Sequence, residues 1–357
     1  MYQTVFHLRK LNLLNCKLKI YYSIIILLVV CSCVKDKPQD PTKESISINS
    51  GNTVFVINEG PFNSGHGSVS LYDPNSNSVV EDYYYQQNNS YLGNIVQSVT
   101  KYNNKYYIVN NNSNSITVAS TSNFVKTTTI NGFNSPRYVL PITYNKAYVS
   151  DLYSNSIQII DLNSNSISGS IPCNGWTEKM ALIYNKAFVT NYYTNYCYVI
   201  NTVTDVITDS VNVGKGAASI EIDNNSKIWV LTSGDNANNQ PGRLVRINPV
   251  TLQIELNLNF SLSDSPQNLC INKTRDTLFY LNKGICRFPI SSSQLSTPYI
   301  KQGFTYYGMG INPNDYTIYV SDVLGFTQKS TVEIYGVNGN FKTSFKAGIG
   351  SNGFLFE

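Results

Sequence analysis

The chain has 357 residues, 42% of them hydrophobic and 12% aromatic, which is enough apolar material for a core and excludes wholesale disorder. Charged residues make up only 13%, and the net charge of +4 comes from the amino-terminal stretch, since residues 1–32 hold Arg9, Lys10, Lys17 and Lys19 and no acid. The remainder is balanced, so nothing draws it electrostatically to nucleic acid, whose affinity comes mainly from phosphate neutralisation.

In chain order, the first feature is an apolar run over residues 20–30, preceded by basic residues. A membrane-crossing helix needs about 20 apolar residues, so the run reads as the core of a signal peptide over residues 1–32. Val30-Cys31-Ser32-Cys33 follows. An aliphatic residue three before a cysteine, with a small one immediately before it, resembles the bacterial lipobox. That resemblance implies Cys33 as a lipidated new amino terminus. Residues 33–50 are polar, Pro-containing and without period, a flexible tether. Residues 51–357 are expected to form one folded domain.

That domain is a repeat. A short strand recurs as Phe55-Val-Ile-Asn58, Tyr107-Ile-Val-Asn110, Tyr148-Val-Ser-Asp151 and Phe188-Val-Thr-Asn191. It continues as Trp229-Val-Leu-Thr232, Phe279-Tyr-Leu-Asn282 and Tyr319-Val-Ser-Asp322. The intervals between the aromatic residues, about 40–50 residues, suit four-stranded propeller blades. Each copy is followed by a polar loop, an alternating strand such as Asn155–Asp161, and a turn cluster such as Asn163-Ser-Asn165. A further strand precedes each copy except the first. The carboxyl-terminal Asn352-Gly-Phe-Leu-Phe356 resembles the missing one. The expected fold is therefore all-β, a seven-bladed β-propeller closed by its last strand, and deletion of residues 350–357 should cost far more than trimming a tail.

Tyr148-Val149-Ser150-Asp151 followed by Ile157-Gln-Ile-Ile-Asp161 resembles the repeat of YVTN-type, YncE-like seven-bladed propellers. Val56-Ile-Asn-Glu-Gly60, Ser135-Pro-Arg-Tyr138, Gly175-Trp-Thr-Glu178 and Phe345-Lys-Ala-Gly348 are similar to segments of Bacteroidota surface propeller lipoproteins. Some members of that group capture corrinoids and pass them to a TonB-dependent outer-membrane transporter. The resemblance thus implies a lipid-anchored outer-membrane protein, displayed at the cell surface and monomeric apart from its transporter.

Loops after the second and fourth strands of a blade share one rim. That rim collects Asn58, Glu59, Asn110, Asp151, Asn191, Asn282 and Asp322 after second strands, and Arg137, Trp176, Thr177, Gln267 and Tyr306 before first strands. Tyr153, Tyr192 and Tyr193 lie one or two residues further along. Amides and carboxylates beside aromatic rings suit a large ligand with an apolar body and amide edges, such as a corrinoid. The Asn/Asp column has another reading, as strand-ending turn caps. Arg137 has one too, as a structural partner of Glu178 or Asp151.

His66 is the one histidine left after processing, too few for an independent Ser-His-Asp set, and no Cys/His pair has metal-ligand spacing. Cys173, Cys197, Cys270 and Cys286 define no disulfide framework and read as buried thiols. The expectation is a non-enzymatic binding protein with no cofactor beyond a bound corrinoid. A protein- or glycan-binding scaffold and a propeller lyase or hydrolase are the alternatives.

Overall fold

The computed structural model describes Ile48 and residues 53–62, 64–301 and 305–357. Cys33, the signal segment 1–32 and all of the tether 33–50 except Ile48 lie outside the described residues. The folded part is seven four-stranded antiparallel sheets. Blade 2 shows the pattern, running from the channel outward through Val96–Tyr102, Lys105–Asn110, Ser115–Ser120 and Lys126–Asn131.

Blade 1 is built from both ends of the domain. Its inner strand is Ser351–Phe356, paired to Val54–Asn58 with Val54 opposite Phe356, and Ser68–Asp73 and Ser78–Val80 complete it. This is the expected closure. It removes two sheet edges that would otherwise stand open. Phe354 and Phe356 then pack on Tyr319 of blade 7, with ring centroids 5.7 and 5.3 Å apart.

The aromatic column explains why the blades associate. Seven buried hydrophobic clusters lie among the described residues, one at each blade–blade interface. Each contains one member of the column: Phe55, Tyr107, Tyr148, Phe188, Trp229, Phe279 or Tyr319. Its neighbours in the same strand point the other way, as Val56 does into the interface with blade 7. A strand buried on both faces must be apolar at successive positions, which is the pattern these strands show. Each buried ring is worth roughly 1.5–3 kcal/mol over exposure.

Two features lie outside the simple repeat. The wide interval between the first two copies holds a short helix, α1 (Tyr83–Asn88), N-capped by Asp82 and burying Tyr83 and Tyr84 between blades 1 and 2. On the face of the first and third turns, lysines at the start of second strands cap the outer turn of the next blade. Lys105 Nζ donates to Leu162 O at 3.0 Å, Lys146 to Thr202 O at 2.8 Å, and Lys186 to Pro249 O at 3.0 Å. Among the described residues no helix is long and apolar enough to cross a membrane.

Candidate functional site

The inner strand of every blade carries a β-bulge at the same rim. In blade 2, Val96 pairs with Asn110 and Ser98 with Val109, so Gln97 is the extra residue. Equivalent register shifts lie at Arg137 in blade 3, Glu178 in blade 4, Ala218 in blade 5, Asn268 in blade 6, Tyr307 in blade 7 and Asn352 in blade 1. Bulges re-aim side chains, and here they supply a ring of seven equivalent positions. Gln97, Ala218, Asn268, Tyr307 and Asn352 line a cavity of about 210 Å³ at the channel mouth, together with Glu59, Tyr192, Gly216, Ser233 and Gln267.

Glu59 is the acid of this mouth. Its backbone is fixed by the closing turn, with Glu59 N donating to Gly350 O at 3.0 Å and Gly60 N to Ile349 O at 2.9 Å. Gly60 takes φ +82°, and a Cβ there would meet His66 O at 2.3 Å, so only glycine completes the turn. Glu59 Oε1 accepts from the Tyr307 hydroxyl at 2.9 Å and from Asn352 Nδ2 at 3.0 Å. Burial nevertheless raises its carboxyl above the usual range, against those two hydrogen bonds and the charge of Arg137. The Asn352 amide oxygen is buried with no hydrogen-bond partner.

Arg137 forms the other pole. Nη2 meets Glu178 Oε1 at 2.8 Å, Nε lies 3.1 and 3.2 Å from its two oxygens, and Nη1 donates to Gln97 Oε1. Burial is the largest single influence and would lower the guanidinium pKa, but the charge and hydrogen bonds of Glu178 together with the charges of Tyr138 and Glu59 outweigh it, and the net shift is upward. Trp176 Nε1 also donates to Glu178, the Arg137 guanidinium sits 5.9 Å from the Trp176 ring, and that ring lies 4.4 Å from Tyr192. Below, Lys179 sits 6.0 Å from the Tyr138 ring, and burial pushes the Glu221 carboxyl up to about 7, opposed by Lys179 and Arg275.

Of the expected rim residues, Glu59, Arg137, Trp176, Tyr192 and Gln267 gather at this mouth. Tyr153 and Tyr193 stand on the rim, 70% and 66% exposed. The Asn/Asp column does not face the opening. Asn58, Asn110, Asp151, Asn191 and Asp322 are buried, and their polar atoms are engaged within the fold. Asp151 accepts from the amides of Ser135, Tyr153 and Ser154, Asn191 from those of Tyr193 and Thr194, and Asp322 from that of Leu324. Asn110 Oδ1 accepts from Gly93 N, and Asn58 Oδ1 from Ser351 Oγ. They hold the loops that carry the site. Thr177 is likewise buried, against the backbone of Asp151.

Asn282 borders a separate lateral cavity of about 310 Å³ beside Asp264 and Lys283. Tyr306 is also displaced from expectation. Its hydroxyl is bonded to Glu333 and Tyr335 inside blade 7, and the bulge sends Tyr307 into the mouth instead.

His66 stacks on Tyr91 at 3.7 Å and lies 3.8 Å from Asp82. No group of three His, Cys, Asp or Glu among the described residues could hold a metal ion. Cys173, Cys197, Cys270 and Cys286 are free, and burial pushes their thiols up to between about 11 and about 12, which suppresses nucleophilicity at neutral pH.

Comparison with solved structures supports the fold. A quinonprotein alcohol dehydrogenase-like protein from Bacteroides thetaiotaomicron superposes with TM-score 0.67 at 15% identity, over 86% of this chain and 78% of its own. A functionally unknown protein from Desulfotomaculum acetoxidans gives 0.67 at 12% identity, over 85% of this chain and 98% of its own. Hydrazine synthase of Kuenenia stuttgartiensis gives 0.56 at 12% identity, over 70% and 85%. At these identities the likeness concerns architecture alone. No curated protein matches the chain. A family match, by contrast, spans most of the propeller: with residues 52–349 fitting it, the chain belongs to the domain-of-unknown-function family DUF5074.

Proposed function

We propose that this chain is a lipid-anchored extracytoplasmic binding protein that holds a ligand at the propeller mouth without transforming it. The observation that carries the reading is the ring of bulged positions, which presents amides, an acid and aromatic surface around one opening. Rigid rings supply contact area at low entropy cost, while Asn352 Oδ1, which has no partner within the fold, suits a donor on a ligand's polar edge. A corrinoid, a broad ring fringed with amides, has that character. Delivery to a TonB-dependent transporter is the role that goes with it.

The test is a visible-absorption titration of the purified protein with cobalamin and with cobinamide. Saturable binding at micromolar concentration or below supports the corrinoid reading, and its absence with both removes it. The exposed rings of Tyr153 and Tyr193 favour a second reading, a surface for protein or glycan. A stable partner recovered by pull-down, with no small-molecule binding, would support that one instead.

A further inference from the structure

Three of the side-chain amides lining the mouth turn their nitrogens into its wall. Gln267 Nε2 donates to Tyr306 O at 3.3 Å, and Asn268 Nδ2 donates to Tyr307 O, both in the next blade. Asn352 Nδ2 lies 3.0 Å from Glu59 Oε1 and from Gln97 O, and 3.4 Å from Val96 O. These acceptors fix the sense of each amide, so the oxygens point the other way. None of the three oxygens has a hydrogen-bond partner among the described residues. Asn352 Oδ1 is buried, while Gln267 is exposed and Asn268 half-buried, with their oxygens open to the cavity.

Glu59 continues the pattern. Tyr307 and Asn352 both donate to Oε1, whereas Oε2 has no partner among the described residues and stays open to the cavity. Glu59 is the one carboxylate among the residues lining the cavity, and no lysine, arginine or histidine lines it. Arg137, whose charge reaches Glu59, is held by both oxygens of Glu178 and by Gln97. The cavity thus presents a carboxylate and open amide oxygens with no base of its own to balance them. Its serines, Ser219, Ser233 and Ser265, donate or accept as an occupant requires.

We infer that the mouth takes a protonated amine, paired with Glu59 Oε2 and lying in the negative potential of the amide oxygens that share the cavity. Hydrogen bonds between ionised partners are about twice as strong as neutral ones, and a carboxylate shielded from water gains most from them. The Tyr192 ring, 4.4 Å from that of Trp176, adds an aromatic face of the kind that attracts cations. Burial raises the Glu59 carboxyl, a cost to its ionised form that a bound cation offsets. The inference rests on the reading of the mouth as a binding site and narrows its occupant to a molecule with a cationic amine arm.

The experiment titrates the purified protein with n-butylammonium chloride, with butyramide as its uncharged N–H counterpart, and with sodium chloride at matched ionic strength. The readout is the Asn352 side-chain amide resonance, identified by its absence from the spectrum of Asn352→Ser. Butylammonium should give a saturable shift, with butyramide bound about tenfold more weakly and sodium chloride inert. In Glu59→Gln the amine should fall to the level of the amide. No shift with the amine, an equal response to sodium chloride, equal affinity for amine and amide in wild type, or unchanged amine binding in Glu59→Gln overturns the inference. The wild-type comparison stands even if that variant fails to fold. Small probes test the mouth without the larger ligand, so failure to bind a corrinoid and failure to bind an amine are separate outcomes.

Discussion

Arg137 and Glu178 occupy the same bulged position in adjacent blades, and their side chains meet in a 2.8 Å ion pair at the channel mouth. Glu178 is only 3% exposed, so loss of the guanidinium would strand a buried carboxylate. Arg137→Met is expected to destabilise the protein by about 3–5 kcal/mol. The double variant Arg137→Met/Glu178→Met should recover much of that loss. Denaturant unfolding of both variants checks it; a double variant no better than the single would remove the pair from the account.

Closure by the carboxyl terminus predicts an outsized effect of a small deletion. Removal of residues 351–357 strips blade 1 of its inner strand and uncovers the interface with Tyr319. With several ladder hydrogen bonds and partly buried rings gone, the loss is at least about 5 kcal/mol. Circular dichroism melting should show a lost or strongly depressed cooperative transition.

Gly308 marks where blade 7 meets that closing strand. A Cβ there would stand 2.7 Å from the backbone carbon of Asn352 and 2.9 Å from Ser351 O. Backbone on both sides cannot swing away, so Gly308→Ala should cost about 1–3 kcal/mol. Gly325→Ala, which meets nothing within 4 Å but sits at φ +72°, separates backbone strain from contact. Comparison of their melting temperatures gives the answer.

The channel carboxylates set a pH dependence. Burial raises Glu221 from 4.5 to about 7, and Glu59 moves in the same direction. Between pH 4.5 and 7 the native state therefore keeps a proton that the unfolded chain has released. Stability falls as pH rises through that window, by on the order of 2–3 kcal/mol for Glu221. Glu221→Gln should flatten the decline in unfolding free energy between pH 4.5 and 7, and an unchanged slope would contradict the assignment.

The fold was legible because each blade repeats one chemical requirement, an aromatic residue at a blade interface. Closure was legible from the strand that the first copy lacks. The site was only partly so. Asn58 and Asp151 end strands as expected, but a sequence does not distinguish an amide turned into its own loop from one turned outward. Tyr306 reads as a rim residue from its place before the first strand of blade 7, and the bulge just after it, which the sequence does not announce, turns Tyr307 into the mouth instead. The signal that would have located the ring is the second residue of six of the seven inner strands, Gln97, Arg137, Glu178, Asn268, Tyr307 and Asn352, each with a polar group, blade 5 having Ala218 in its place. The lysine clamps at Lys105, Lys146 and Lys186 were hidden differently, since each partner lies in the next blade.

The proposed binding face of the propeller is the mouth built around Glu59 and Trp176. Isothermal titration with cobinamide tests it on four proteins: wild type, Trp176→Ala, Glu59→Gln, and Tyr144→Ser on the opposite face, where Tyr144 is 74% exposed. Wild type and Tyr144→Ser are expected to bind alike, with affinity at least tenfold weaker in both mouth variants. Equal affinity across all four proteins, or loss confined to Tyr144→Ser, would contradict it.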